Sequence, residues 1–274
     1  MPNCHRLAAT PRLRLVDALS LSLCLLVSAL ATAAAPAAAK HDSGQLKVVY
    51  KPTREFAELA KSLKHAKLFD QQVADLNQLF AWPRDLDVRM ENCGQANAFY
   101  DPTEGAIIIC YEFVDSEMES LRKVYDDPED LGEAVVNSTF FVFFHELGHA
   151  FIGEMDLPTT GKEEDAVDQL AVVVLVDLGQ AGEAAALDGA ISFGLLAKES
   201  GDSPLWDEHS LDDQRFYNIL CWIYGTDAEK YAYLVEKGHL PEARAARCES
   251  EFQRLDKAWK ALLAPHLEAS GSKD

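Results

Sequence analysis

Positive charge is scarce in this chain. Its 274 residues include 25 Lys and Arg against 45 Asp and Glu, a formal net charge of −20. Such a surface repels polyanions, so nucleic acid and anionic membrane are excluded as partners. Cysteine is sparse as well: six residues and no C-x-x-C pair, which argues against a thiolate zinc site. The apolar stretch at residues 16–30 carries Asp17 and falls short of the roughly 20 residues of a membrane span. No internal repeat and no long Gly/Pro/Ser linker divides the chain, so residues 40–274 read as a single domain.

Residues 1–39 read as a signal peptide. Arg6, Arg12 and Arg14 form a basic start, residues 16–30 an apolar core, and the Ala-rich stretch at 31–39 offers A-x-A cleavage sites. A retained signal anchor is the alternative. The expectation is an exported protein, periplasmic or secreted, with no stable membrane insertion after signal removal. Cys4 and Cys24 leave with the signal. Cys93, Cys110, Cys221 and Cys248 remain, an even number suited to an oxidising compartment. Four cysteines allow three connectivities. Local pairing is expected, with Cys93–Cys110 stapling neighbouring strands and Cys221–Cys248 tying two C-terminal helices.

What the chain does contain is His145-Glu146-Leu147-Gly148-His149, the pattern H-E-x-x-H. Residues four apart share one face of a helix, so both imidazoles can meet at one Zn²⁺. Glu146 lies about 100° further round, beside the metal, where it can take a proton from water. The preceding run, Phe140-Phe141-Val142-Phe143-Phe144, is wholly apolar and marks a buried helix. Glu164 follows His149 by fifteen positions, and Asp168 follows Glu164 by four. Glu164 is the candidate third ligand, which leaves one coordination position open. Asp168 can accept the second ring N–H of a zinc histidine. Their helix is apolar at Val167, Leu170, Ala171, Val174 and Leu175. Acids on or beside such a face, Glu163 included, are costly unless ligated or hydrogen-bonded.

Alternating and helical patterns fill in the rest. Strands are expected at 46–50, 86–91, 96–100 and 106–111, the last three as an antiparallel meander. Helices are expected at 55–68, 73–80, 112–125, 131–153, 163–179, 182–197, 211–224, 228–237 and 241–263. The fold class is therefore α+β, a small antiparallel sheet packed on a mostly helical domain that carries the H-E-x-x-H helix.

The pair H-E-x-x-H then E-x-x-x-D resembles the gluzincin metallopeptidases, of which thermolysin is the type. Asn97-Ala98-Phe99-Tyr100 resembles their cleft-lining Asn-Ala-aromatic-aromatic edge strand. From about 91 to 248 the chain looks most like small bacterial metallopeptidase domains of unknown physiological substrate. The features they share are H-E-L-G-H-A, a Leu-Pro turn, G-x-E-E-D-A-x-D-Q and D-E-H-S-L-D-x-Q-R-F-Y-N, the last running here from 207 to 218. The resemblance implies a zincin-type fold, one Zn²⁺ per chain, a peptide or protein substrate, and substrate contact at Asn97 and Ala98. Asn97 could instead be a turn residue satisfying its own backbone. The His-to-Glu spacing is shorter than in thermolysin, so both Glu163 and Glu164 stand as the third ligand, with Glu164 preferred.

Amide hydrolysis also needs a donor for the oxyanion. His209 is the candidate, with Arg215 and Tyr217 in reserve. His209 could equally cap the following helix, and Arg215 could pair with Asp212 or an acid of the ligand helix. Two other functions use the same residues: a zinc-stabilised binding or inhibitory module, and a hydrolase of non-peptide amides.

Overall fold

A computed structural model describes residues 44–199 and 206–268. The signal read at 1–39 lies outside the described residues. Strand β1 (Leu46–Tyr50) leads into helices α1 (Ala57–Ala66) and α2 (Asp70–Leu79). Strands β2 (Leu86–Glu91), β3 (Ala98–Asp101) and β4 (Ala106–Cys110) follow. The remainder is helical: α3 (Tyr111–Leu121), α4 (Pro128–Met155), α5 (Glu163–Asp177), α6 (Gln180–Glu199), α7 (Asp212–Thr226), α8 (Ala232–Glu236), α9 (Glu242–Ala245) and α10 (Cys248–Leu263).

The sheet corrects the expected meander. Its order is β1-β2-β4-β3, with β1/β2 and β2/β4 parallel and only β3 antiparallel to β4. The reason lies in β4, Ala-Ile-Ile-Ile-Cys, every residue of which is buried. A strand apolar on both faces belongs inside a sheet between two partners. Strand β3, half-buried along its length, takes the edge. The C-terminal segment expected as one helix from 241 to 263 is broken after Ala245 into α9 and α10.

Helix α4 is the axis of the molecule. Asp127 caps it by accepting the N–H groups of Glu129 and Asp130, and Pro128 occupies its first turn, where a missing N–H costs nothing. Its apolar residues point all round: Phe140, Phe141, Phe143, Phe144, Leu147 and Phe151 are each almost completely buried. A helix hydrophobic on every side must be surrounded. Helices α3, α5 and α6 and strands β3 and β4 surround it. Its last residue is Met155, two beyond Gly153, and Asp156 caps it in the left-handed conformation, φ 51°.

Both disulfides form. Cys93, after β2, joins Cys110 at the end of β4, with Cα atoms 5.6 Å apart. Cys221 on α7 joins Cys248 on α10, 5.0 Å apart. Such bonds belong to an extracytoplasmic, oxidising compartment. Among the described residues no helix is long and apolar enough to cross a membrane.

Candidate metal centre and cleft

His145 and His149 project from α4 one turn apart, and Glu164 projects from the first turn of α5 toward both. The glycine between the histidines permits this approach. A Cβ at Gly148 would stand 2.7 Å from Val167 Cγ1 of α5. His145 Nε2 lies 3.1 Å from Glu164 Oε2, and His149 Nε2 lies 3.4 Å from Glu164 Oε1. His209, on the loop before α7, also places Nε2 3.1 Å from Glu164 Oε2. Ligand donors of His145, Glu164 and His209 all fall within 4.8 Å of one another.

Behind each imidazole stands a carboxylate. His145 Nδ1 is 2.7 Å from Asp168 Oδ1, His149 Nδ1 is 2.8 Å from Glu163 Oε1, and His209 Nδ1 is 3.1 Å from Asp207 Oδ1. A carboxylate accepts the hydrogen bond from Nδ1–H and so leaves the Nε2 lone pair for a cation, as behind metal-bound histidines. Ligand atoms about 2.1 Å from a tetrahedral ion sit about 3.4 Å from each other. The Nε2-to-carboxylate separations here lie near that spacing, and the donors of His145, Glu164 and His209 fit a single metal ion, while His149 is not within that group.

Charge at the site follows from burial and from these pairs. Burial pushes the Glu146 carboxyl above its usual range, against the pull of His145 and His149, and the Tyr100 backbone N–H also hydrogen-bonds to it. Burial opposes ionisation of Glu164 too, yet hydrogen bonds from three histidines hold it well below the carboxylate range. His149 resists burial through its bonds to Glu164 and Glu163 and is pushed up to about 9. A cation at the centre would take over the role these protons play.

The cleft above these residues has a volume of about 540 Å³. Strand β3 forms one wall with Asn97, Ala98, Phe99 and Tyr100, and the loop residues Glu208 and His209 lie on another side. Asn97 stands just before β3 rather than in it, and its carbonyl accepts the Cys110 N–H. By the alternation of an antiparallel pair, the main-chain groups of Ala98 therefore point away from β4. At the far end Arg84 forms a forked pair with Glu154 of α4, at 3.0 Å from Nε to each oxygen, and donates to the Pro102 carbonyl at 2.6 Å. Tyr100 adds its hydroxyl to Glu154.

Two sequence candidates are displaced. Arg215 does not line the cleft: its Nε and Nη2 grip both oxygens of buried Asp168 at 2.8 and 2.7 Å, and its guanidinium lies 3.8 Å above the Phe193 ring. Tyr217 is half-buried, edge-on to Phe216, and outside the cleft as well. Three participants escape sequence reasoning. Asp207 orients His209, and Lys162 holds the carbonyls of Asp207 and His209 at 3.1 and 3.2 Å. The third is the Tyr100 amide on Glu146. Only Asp207, two residues before His209, left a signal, as an acid that can bond locally.

A small sheet with one exposed edge, a buried helix and a His/Glu cluster able to hold a metal ion together define a metallopeptidase-like protein. The chain belongs to the family described as "Putative metallopeptidase", whose profile matches residues 50–263. That description points to a metal-dependent peptidase, a class whose substrates are proteins or peptides. No curated protein and no solved structure matches the chain.

Proposed function

We propose that this chain is an exported zinc peptidase of gluzincin type, acting through Glu146. The observation that carries the reading is the convergence of three carboxylate-backed imidazoles on Glu164 beneath the edge strand. His145, His149 and Glu164 would hold the ion, with Asp168 and Glu163 setting the orientation of the histidines. Bound zinc supplies Lewis acidity toward a carbonyl oxygen and lowers the pKa of water. Glu146 takes the proton from the attacking water and returns it to the leaving nitrogen. A carboxyl raised toward neutrality by burial suits both roles. His209 stands where it can donate to the developing oxyanion. The main-chain groups of Ala98 hold the substrate backbone as an added strand, with Asn97 beside them.

The test is Glu146→Gln. The variant keeps its zinc, measured by elemental analysis, and cleaves unstructured peptides about 10²–10⁴-fold more slowly. Equal turnover by parent and variant overturns the hydrolase reading and leaves a zinc-binding module. Cleavage of simple amides but of no peptide moves the assignment to a non-peptide amidase.

A further inference from the structure

His209 is built into the centre more firmly than an oxyanion donor requires. Its Nε2 is as close to Glu164 Oε2 as His145 Nε2 is, 3.1 Å in both cases. It repeats the pattern of the other two histidines, with Nδ1 on a carboxylate and Nε2 on Glu164. With Asp207 accepting the Nδ1–H, His209 can offer an Nε2 lone pair once a cation displaces the Nε2 proton. Donation to an oxyanion then requires that the imidazole first leave the cation and take up a proton at Nε2.

The loop is also fastened to the helix that supplies Glu164. Lys162 grips two of its carbonyls, and Ser210 Oγ donates to Asp165 Oδ1 at 2.6 Å. Lys162 and Asp165 flank Glu164, so one helix start sets the position of both donors. The side chain of His209 is nevertheless 47 % exposed, whereas that of His145 is 6 % exposed. Of the three imidazoles it is the one free to withdraw.

We propose that His209 is a fourth protein ligand of the resting metal centre, completing a closed set with His145, His149 and Glu164. This rests on the reading of the cleft as a metal site. Catalytic zinc sites keep one position open, so His209 yields its place when a substrate carbonyl enters. The resting protein is then self-protected, and small ligands compete with its own imidazole.

Zinc-edge X-ray absorption of the zinc-loaded full chain counts the imidazoles directly. The parent is expected to show three and His209→Ala two, and the variant's zinc dissociation constant is expected to rise about 10–100-fold. His209→Asn serves in the same way if the Ala variant loses its circular-dichroism signature. Two imidazoles in parent and variant alike overturn the proposal but leave the metal site standing. A parent that binds no zinc, or a His145→Ala variant that binds it undiminished, overturns the site itself.

Discussion

Gly148 and Val167 are packed so closely that no side chain fits between them: a Cβ on the glycine would lie 2.8 Å from Val167 Cβ and 3.2 Å from its Cα. This contact sets the distance between α4 and α5, and so between the two histidines and Glu164. Gly148→Ala forces the helices apart. The expected cost is about 1–3 kcal/mol of stability, as for overpacked cores, with zinc affinity falling at least about ten-fold, within the range of a disturbed ligand orientation. Thermal unfolding and a zinc titration measure the two effects. Unchanged affinity would show that Glu164 follows the histidines on its own.

The two glutamates at the start of α5 do different work. Glu164 faces three imidazoles, while Glu163 reaches only His149 Nδ1. Glu164→Gln should release the metal, whereas Glu163→Gln should weaken binding by about 10–100-fold, the usual effect of a partner behind a ligand. Equilibrium dialysis with zinc separates these outcomes, and the reverse order would exchange their roles.

Arg215, itself mostly buried, neutralises the almost completely buried Asp168. Arg215→Met leaves that carboxylate buried beside His145 alone. Breaking such a pair costs about 3–5 kcal/mol, to be read from urea unfolding. Arg215→Lys recovers only part of it, since an ammonium cannot form the forked contact. A loss below about 1 kcal/mol for the Met variant would mean that solvent reaches Asp168.

Glu117 gives the fold a pH dependence away from the metal. Burial raises its pKa, although the Ser192 hydroxyl donates to it at 2.8 Å. With the folded value above the unfolded one, its contribution is complete below the ordinary glutamate range and is lost as pH rises through the folded value. Relative to Glu117→Gln, the parent should therefore lose stability with rising pH, by up to about 1.4 kcal/mol per pH unit while only the unfolded chain ionises. Denaturation of both proteins between pH 4 and 8 tests this; parallel curves would show that Glu117 is ionised in the fold.

The centre was legible where chemistry depends on spacing within one helix. His145, Glu146 and His149 declare themselves in five residues, and Glu164 and Asp168 do so as acids on an apolar face. Strand order was only partly legible: the wholly apolar Ala106–Cys110 marks an inner strand, but nothing local names β2 as its second partner or makes that pairing parallel. Arg215 could be read either as an oxyanion donor or as the partner of an acid on the ligand helix, and the packed structure gives it the second role, on Asp168. The Tyr100 amide on Glu146 is a backbone group and leaves no trace in residue type.

The Arg84–Glu154 pair also decides what can pass through the cleft. It bolts the hairpin after β3 to the end of α4, and Tyr100 tightens the joint from inside. That end behaves as the fixed jaw of a vice. The opposite jaw is the 206–211 loop, held through main-chain carbonyls and one hydroxyl, and any widening must come from that side. If the cleft takes peptide as proposed, a slot fixed at this end is expected to accept a single extended strand and to turn away a folded domain whatever its sequence.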